Sequence, residues 1–235
     1  MAARFLYPLA RISKEPDLTL TYVMHLADYS DGVLYVLAAL LLVALAVMID
    51  RFWSLRVTII RGRSIISATA AVAELTRPDL KMLADEAGGL PEAALLDTAL
   101  RFFDVAQHEQ MANRLDEAIM LIAPRLDKRL WILDTVVTLA PLLGLFGTII
   151  GMFHAFSVLA QPDHAPSDVT AGVADALIAT AFGIFIAMLG LAAFNGLSNQ
   201  VRIVIHHLDS MKMMIINRLP VPAPATSAVR RMERV

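Results

Sequence analysis

Two threonines and an aspartate stand in apolar surroundings where polar side chains are costly: Thr148 in GLFGTIIG, Thr180 in LIATAFG and Asp175 in GVADALIA. A hydroxyl both donates and accepts a hydrogen bond, and a carboxyl group takes up and releases a proton. Together on one narrow polar surface they can carry protons by hydrogen-bond exchange, as carboxylate chains do inside membranes. They are not the parts of a hydrolytic or redox machine. There is no metal-ligand spacing, phosphate-binding loop, cofactor motif or nucleophile triad, and no cysteine for a disulfide or thiolate site. The expectation is therefore a protein that is not an enzyme and holds neither metal nor cofactor.

Helical geometry supplies the setting of these residues. At about 100° per residue, Ala140, Pro141, Gly144, Gly147, Thr148, Gly151 and Ala155 fall within roughly a third of one helix's circumference. Gly172, Ala176, Ala179, Gly183, Ala187 and Gly190 make a second stripe, flanked on either side by Asp175 and Thr180. Small faces let membrane helices approach closely, and these are read as turned inward, toward a cavity shared with a foreign helix.

Each polar residue also has a plainer reading. A helical threonine commonly returns its hydroxyl to the carbonyl three or four residues back. Asp175, about one turn inside the outer end of its span, can be stabilised by the helix dipole and interfacial water. A carboxylate costs on the order of 2.5 to 3.5 kcal/mol at the bilayer centre on insertion scales. The small stripe beside Asp175 favours an interior-facing, functional carboxylate. Pro141 lacks a backbone donor and frees the carbonyl of Val137, and His154 is read as an outer-boundary polar residue.

These residues lie on apolar runs long enough to span a bilayer. The run 135–160 carries no Asp, Glu, Lys or Arg, and two more occupy 33–49 and about 171–197. The 235-residue chain is 57% hydrophobic and 18% charged with mean hydropathy +0.63, too apolar for a soluble domain; its net charge of -2 gives no reason to expect nucleic acid. An all-α membrane protein with three transmembrane helices and long cytoplasmic helical extensions is expected.

Arg51, Arg56, Arg61 and Arg63 follow the first run, Arg125, Lys128 and Arg129 precede the second, and QPDHAPSDVT between the second and third has neither Lys nor Arg. The positive-inside rule puts that loop and the amino terminus outside and the carboxyl terminus inside. The expected organisation is a periplasmic tail at 1–31 without a cleavable signal, spans at 32–52, 130–160 and 171–198, a cytoplasmic helical region at 53–129, an outer loop at 161–170, a cytoplasmic helix at 199–220 and a flexible tail at 221–235. Within 53–129, Thr76 and Asp79 resemble a capping box, Gly88-Gly89 breaks a helix and Pro91-Glu92 restarts one. His108 and the pair Asp116-Glu117 are read as solvated rather than metal-binding.

APLLGLFGTIIGMFHAF and GVADALIATAFGIF resemble the second and third membrane helices of the MotA/TolQ/ExbB proton-channel family, and three spans with a large first cytoplasmic loop look like its ExbB/TolQ branch. The resemblance implies that Thr148 and Thr180 are the family's channel threonines and that Asp175 occupies its channel glutamate position, one methylene shorter; Leu189 stands where many members have Pro. It implies a homopentamer around the helices of a single-span ExbD- or TolR-like partner, in lipid of the bacterial inner membrane. That complex would use the proton motive force to drive a TonB- or TolA-like transducer. LDTVVTLAPLLG leans toward ExbB and GMFHAF toward TolQ, with ExbB favoured. A non-conducting membrane scaffold is the reading from a different class.

Overall fold

A computed structural model describes residues 32–104, 108–159 and 166–220, and the described residues are helical throughout apart from short connections. The helices are α1 (Val33–Ala71), α2 (Arg77–Ala87), α3 (Pro91–Phe102), α4 (His108–Leu126), α5 (Leu130–Leu159) and α6 (Pro166–Arg218). Three of them, α1, α5 and α6, are long and apolar enough to cross a membrane. The expected terminal segments 1–31 and 221–235, and residues 161–165 of the expected outer loop, lie outside the described residues.

The helices run further than the apolar runs that nucleate them. α1 has 39 residues and α6 has 53, against about 20 needed to span the hydrocarbon. Nothing in Arg51–Ala71 stops α1, since that stretch holds no proline and only a single glycine, Gly62. α6 starts at Pro166, where a proline suits the first turn, and ends just before Pro220, which cannot continue it. The expected third span and the expected helix at 199–220 are thus one uninterrupted element.

The described residues divide into two compact units, one drawn from 32–48 and 132–194, the other from 49–131 and 195–220. In the first, α1 packs on α5 and α6 through Val33, Leu37, Ala44, Val136, Ala140 and Ile186. Most remaining large side chains of the unit, Phe146, Phe153 and Phe185 among them, are exposed, as befits helices whose solvent is lipid or another helix.

In the second unit, α2, α3 and α4 bury Leu80, Leu83, Leu95, Leu96 and Leu115 on their inner faces. α2 is opened by the expected box: the carboxylate of Asp79 accepts the Thr76 backbone N–H at 3.1 Å and also the Thr76 hydroxyl, which holds that carboxyl below its usual range. It is closed by Gly88, whose φ of +54° suits a residue without Cβ. The Leu75 N–H donates to the Arg218 carbonyl at 2.9 Å, and the Arg218 guanidinium donates to the Ala70 carbonyl at 3.2 Å, so the ends of α1 and α6 are tied together. Arg129, at φ +71° in the turn between α4 and α5, pairs with Asp50 at 2.8 Å.

Candidate functional site at the crossing of two membrane helices

α5 and α6 run antiparallel with their small faces against each other. A Cβ added at Gly144 would stand 2.9 Å from the Ala179 carbonyl oxygen, one at Gly151 2.7 Å from the Ala176 Cβ, and one at Gly183 2.5 Å from the Ala140 carbonyl oxygen. Ala140, Ala155 and Ala179 are fully buried, and Ala176 nearly so, while Pro141 and Ala187 are half-buried at the margins. The sequence reading turned these faces toward a foreign helix. In the structure Gly144, Gly147, Gly151, Ala176, Ala179 and Gly183 are occupied by each other within one chain, because two facing stripes of like size close to backbone contact and gain dispersion and weak polar contacts. What stays open to a neighbour is the margin of the seam.

Thr148 and Thr180 lie on that margin. The backbones come so close at Gly144 that both hydroxyls reach its carbonyl oxygen, Thr148 Oγ1 at 3.1 Å along its own helix and Thr180 Oγ1 at 3.0 Å across the crossing, and the two hydroxyls are also within hydrogen-bonding reach of each other, so that with one proton each they make two of the three bonds at a time. Both side chains are half-buried. The plainer reading of threonine, a bond to the carbonyl four residues back, holds for Thr148; Thr180 instead bonds to the other helix. The Gly144 carbonyl is a member of the site that sequence reasoning missed. Its signal was present in the glycine itself, since the lack of a side chain at Gly144 lets the partner helix come near enough to share its backbone acceptor.

Asp175 is not brought to this pair. It stands five residues before Thr180, about 140° around α6, while Ala176, Ala179 and Gly183 between them face α5. Carboxylate and hydroxyl therefore leave α6 on opposite edges of the seam. α1 sits on the edge away from Thr148, since a Cβ at Gly147 would meet both the Ala179 Cβ at 3.0 Å and the Val33 Cγ1 at 3.1 Å. Asp175 is half-buried.

Other polar candidates have local roles. His154 is half-buried with its ring edge-on to Phe153 at 6.0 Å. Pro141 sits within an unbroken α5. Asp116 pairs with Lys212 at 2.7 Å and Glu117 with Arg114 at 3.1 Å. Among the described residues no group of three or more His, Asp or Glu converges as a metal site.

Residues 88–210, just over half of the chain, match the MotA/TolQ/ExbB proton channel family. Among similar proteins, the Tol-Pal system protein TolQ of Haemophilus influenzae is 42% identical over 80 residues, 34% of this chain and 35% of that one. The biopolymer transport protein ExbB of Neisseria gonorrhoeae is 31% identical over 105 residues, 44% of this chain and 48% of that one. The TolQ of Pseudomonas aeruginosa is 37% identical over 98 residues, 41% and 42% of the two chains. The chain thus spans less than half the length of each of these relatives. The region matched contains the whole α5–α6 seam with Thr148, Gly144 and Thr180, and the chain belongs to the MotA/TolQ/ExbB proton channel family.

Proposed function

We propose that this chain is the channel and stator subunit of a bacterial inner-membrane energy transducer of the ExbB kind. It forms a homopentamer around the helices of an ExbD-like single-span partner and uses the proton motive force to drive a TonB-like protein. The amino terminus is periplasmic and the carboxyl terminus cytoplasmic, as the arginines that follow the first apolar run within α1 and the basic residues before α5 favour. The spans occupy about 32–52, 130–160 and 171–198, and the helical portions beyond them stand in the cytoplasm.

One observation carries this reading: two hydroxyls at the margin of a close-packed membrane seam share a single backbone acceptor, Gly144 O. A hydroxyl pair so held is ordered, polar and within reach of a helix lying along that margin. Thr148 and Thr180 accept and pass the proton that an acid on the partner helix picks up and releases. Asp175, on the far edge of the seam and near the outer end of its span, sets the potential at the outer entrance. Pro141, Gly144, Gly147, Gly151, Ala155, Ala176, Ala179, Gly183 and Ala187 keep α5 and α6 in register so that the margin stays smooth. One charge moved through 100 mV releases about 2.3 kcal/mol, so a few protons suffice for a mechanical step.

A second reading, a TolQ-like subunit of an envelope-integrity system, is favoured by the 42% identity to a TolQ over 80 residues. The two are separated in cells. Deleting the coding sequence abolishes energised outer-membrane uptake on the ExbB reading, restored by the wild-type chain and not by Asp175→Asn. On the TolQ reading uptake persists and the envelope leaks periplasmic protein. A deletion strain normal in both respects would contradict either form of the proposal.

A further inference from the structure

The margin that carries Thr148 continues toward the start of α5. Pro141 lies seven residues before Thr148 and Asp134 seven before that, a spacing that returns each to within about 40° of the same line along the helix; Thr138 lies on the same side at about 80°. Asp134, Thr138 and Leu145 are exposed, and Pro141 and Thr148 half-buried. α6 occupies the face of Gly144, Gly147 and Gly151, and α1 the side beyond Gly147. Neither covers Asp134, Thr138 or Leu145, and Thr180 of α6 reaches the line only at Thr148. Thr138 keeps its own hydroxyl on the Thr135 carbonyl at 2.9 Å, so this line is polar at both ends with Leu145 between.

A carboxylate left exposed on a membrane helix, as Asp134 is, is unfavourable against lipid and favourable against water or another polar helix. Asp175, the carboxylate singled out by its sequence context, leaves on the other edge of the seam. The acid on the threonine edge is Asp134. Resting on the channel reading above, we infer that Asp134 is a second proton-carrying carboxylate, placed at the α5 N-terminal end of the threonine line. Its carboxylate oxygen takes a proton arriving past Thr148 and Thr180 and releases it to water at that end of the span; no other bond is made or broken. A carboxylate that only marked the water boundary would set the depth of α5 and nothing more.

The experiment uses the complex purified from its own membranes through a tag on this chain, reconstituted in liposomes. A potassium diffusion potential drives proton entry, which an internal pH dye reports. With Asp134→Asn, flux drops about tenfold and its dependence on the pH at the α5 N-terminal side flattens, as expected for loss of a relay acid. Asp134→Glu restores both, and Asp127→Asn, before the helix, changes neither; equal melting of the variants in detergent shows that they fold. If Asp134→Asn keeps wild-type rate and pH profile while Thr180→Val lowers the flux, the role of Asp134 is overturned and the channel reading stands. If the wild-type complex passes no protons, both fall.

Discussion

The hydroxyls of Thr148 and Thr180 converge on one acceptor, the Gly144 carbonyl oxygen, at 3.1 and 3.0 Å. With one proton each, the two hydroxyls make two of the three bonds open to them at a time, and removing either leaves the other still able to donate to Gly144. Thr148→Val and Thr180→Val should each cost about 0.6 to 1.7 kcal/mol of stability in detergent, from the average to the largest value for hydrogen bonds between membrane helices. Each substitution removes one bond and the pair removes two, so the double variant should cost about the sum of the singles. Thermal unfolding of the four proteins checks this, and a double variant no less stable than either single one would contradict it.

Two glycines of α6 should respond oppositely to the same change. At Gly183 a Cβ would meet the Ala140 carbonyl oxygen at 2.5 Å, a backbone atom that cannot swing aside, so Gly183→Ala should destabilise by about 1 to 3 kcal/mol. At Gly196 nothing lies within 4 Å, so Gly196→Ala should be neutral or stabilising by up to about 1 kcal/mol through helix propensity. Melting temperatures in one detergent report both signs.

Glu92 and His207, in the second unit, should shape the pH profile of stability from opposite sides. Glu92 is buried against Gly62 with Oε2 unpaired, and burial pushes its carboxyl above the ordinary 4.5. Between 4.5 and the raised value the folded chain holds more protons than the unfolded chain, so stability falls as pH rises through that window. Glu92→Gln should remove the fall. His207, whose Nδ1 is buried without a partner, is pushed below 6.5 by burial, then by Arg63 and His206. There the unfolded chain holds more protons, so stability falls as pH drops from 6.5 toward the lowered value, and His207→Gln should flatten that side. Unfolding midpoints from about pH 4 to 9 would contradict this if either variant kept the parent slope.

The spans and their small stripes were legible because length and a period of 3.6 residues are properties of sequence alone. The occupant of a stripe is not. Gly144 and Gly183 announce that something comes close, and only the folded chain shows that each is the other's neighbour. Asp175 was legible as an unusual residue flanking the stripe opposite Thr180, but that α1 lies on the edge away from Thr148 is a matter of tertiary contact. The continuation of α1 to Ala71 was hidden because Arg51, Arg56, Arg61 and Arg63 mark the flank of a span expected to end at 52, although nothing there breaks a helix. Glu92 follows Pro91 at a helix start, where an acid ordinarily faces water; its burial arises because Gly62, thirty residues earlier, leaves room for it.

The proposed proton path runs along the margin marked by Thr148 and Thr180. Its most direct measurement is proton flux through the reconstituted complex carrying both Thr148→Val and Thr180→Val, with detergent melting as the check on folding. The expected result is a folded complex whose flux falls to the leak of empty liposomes. A folded double variant that conducts like the wild type would contradict the account and leave α5 and α6 as a packed anchor.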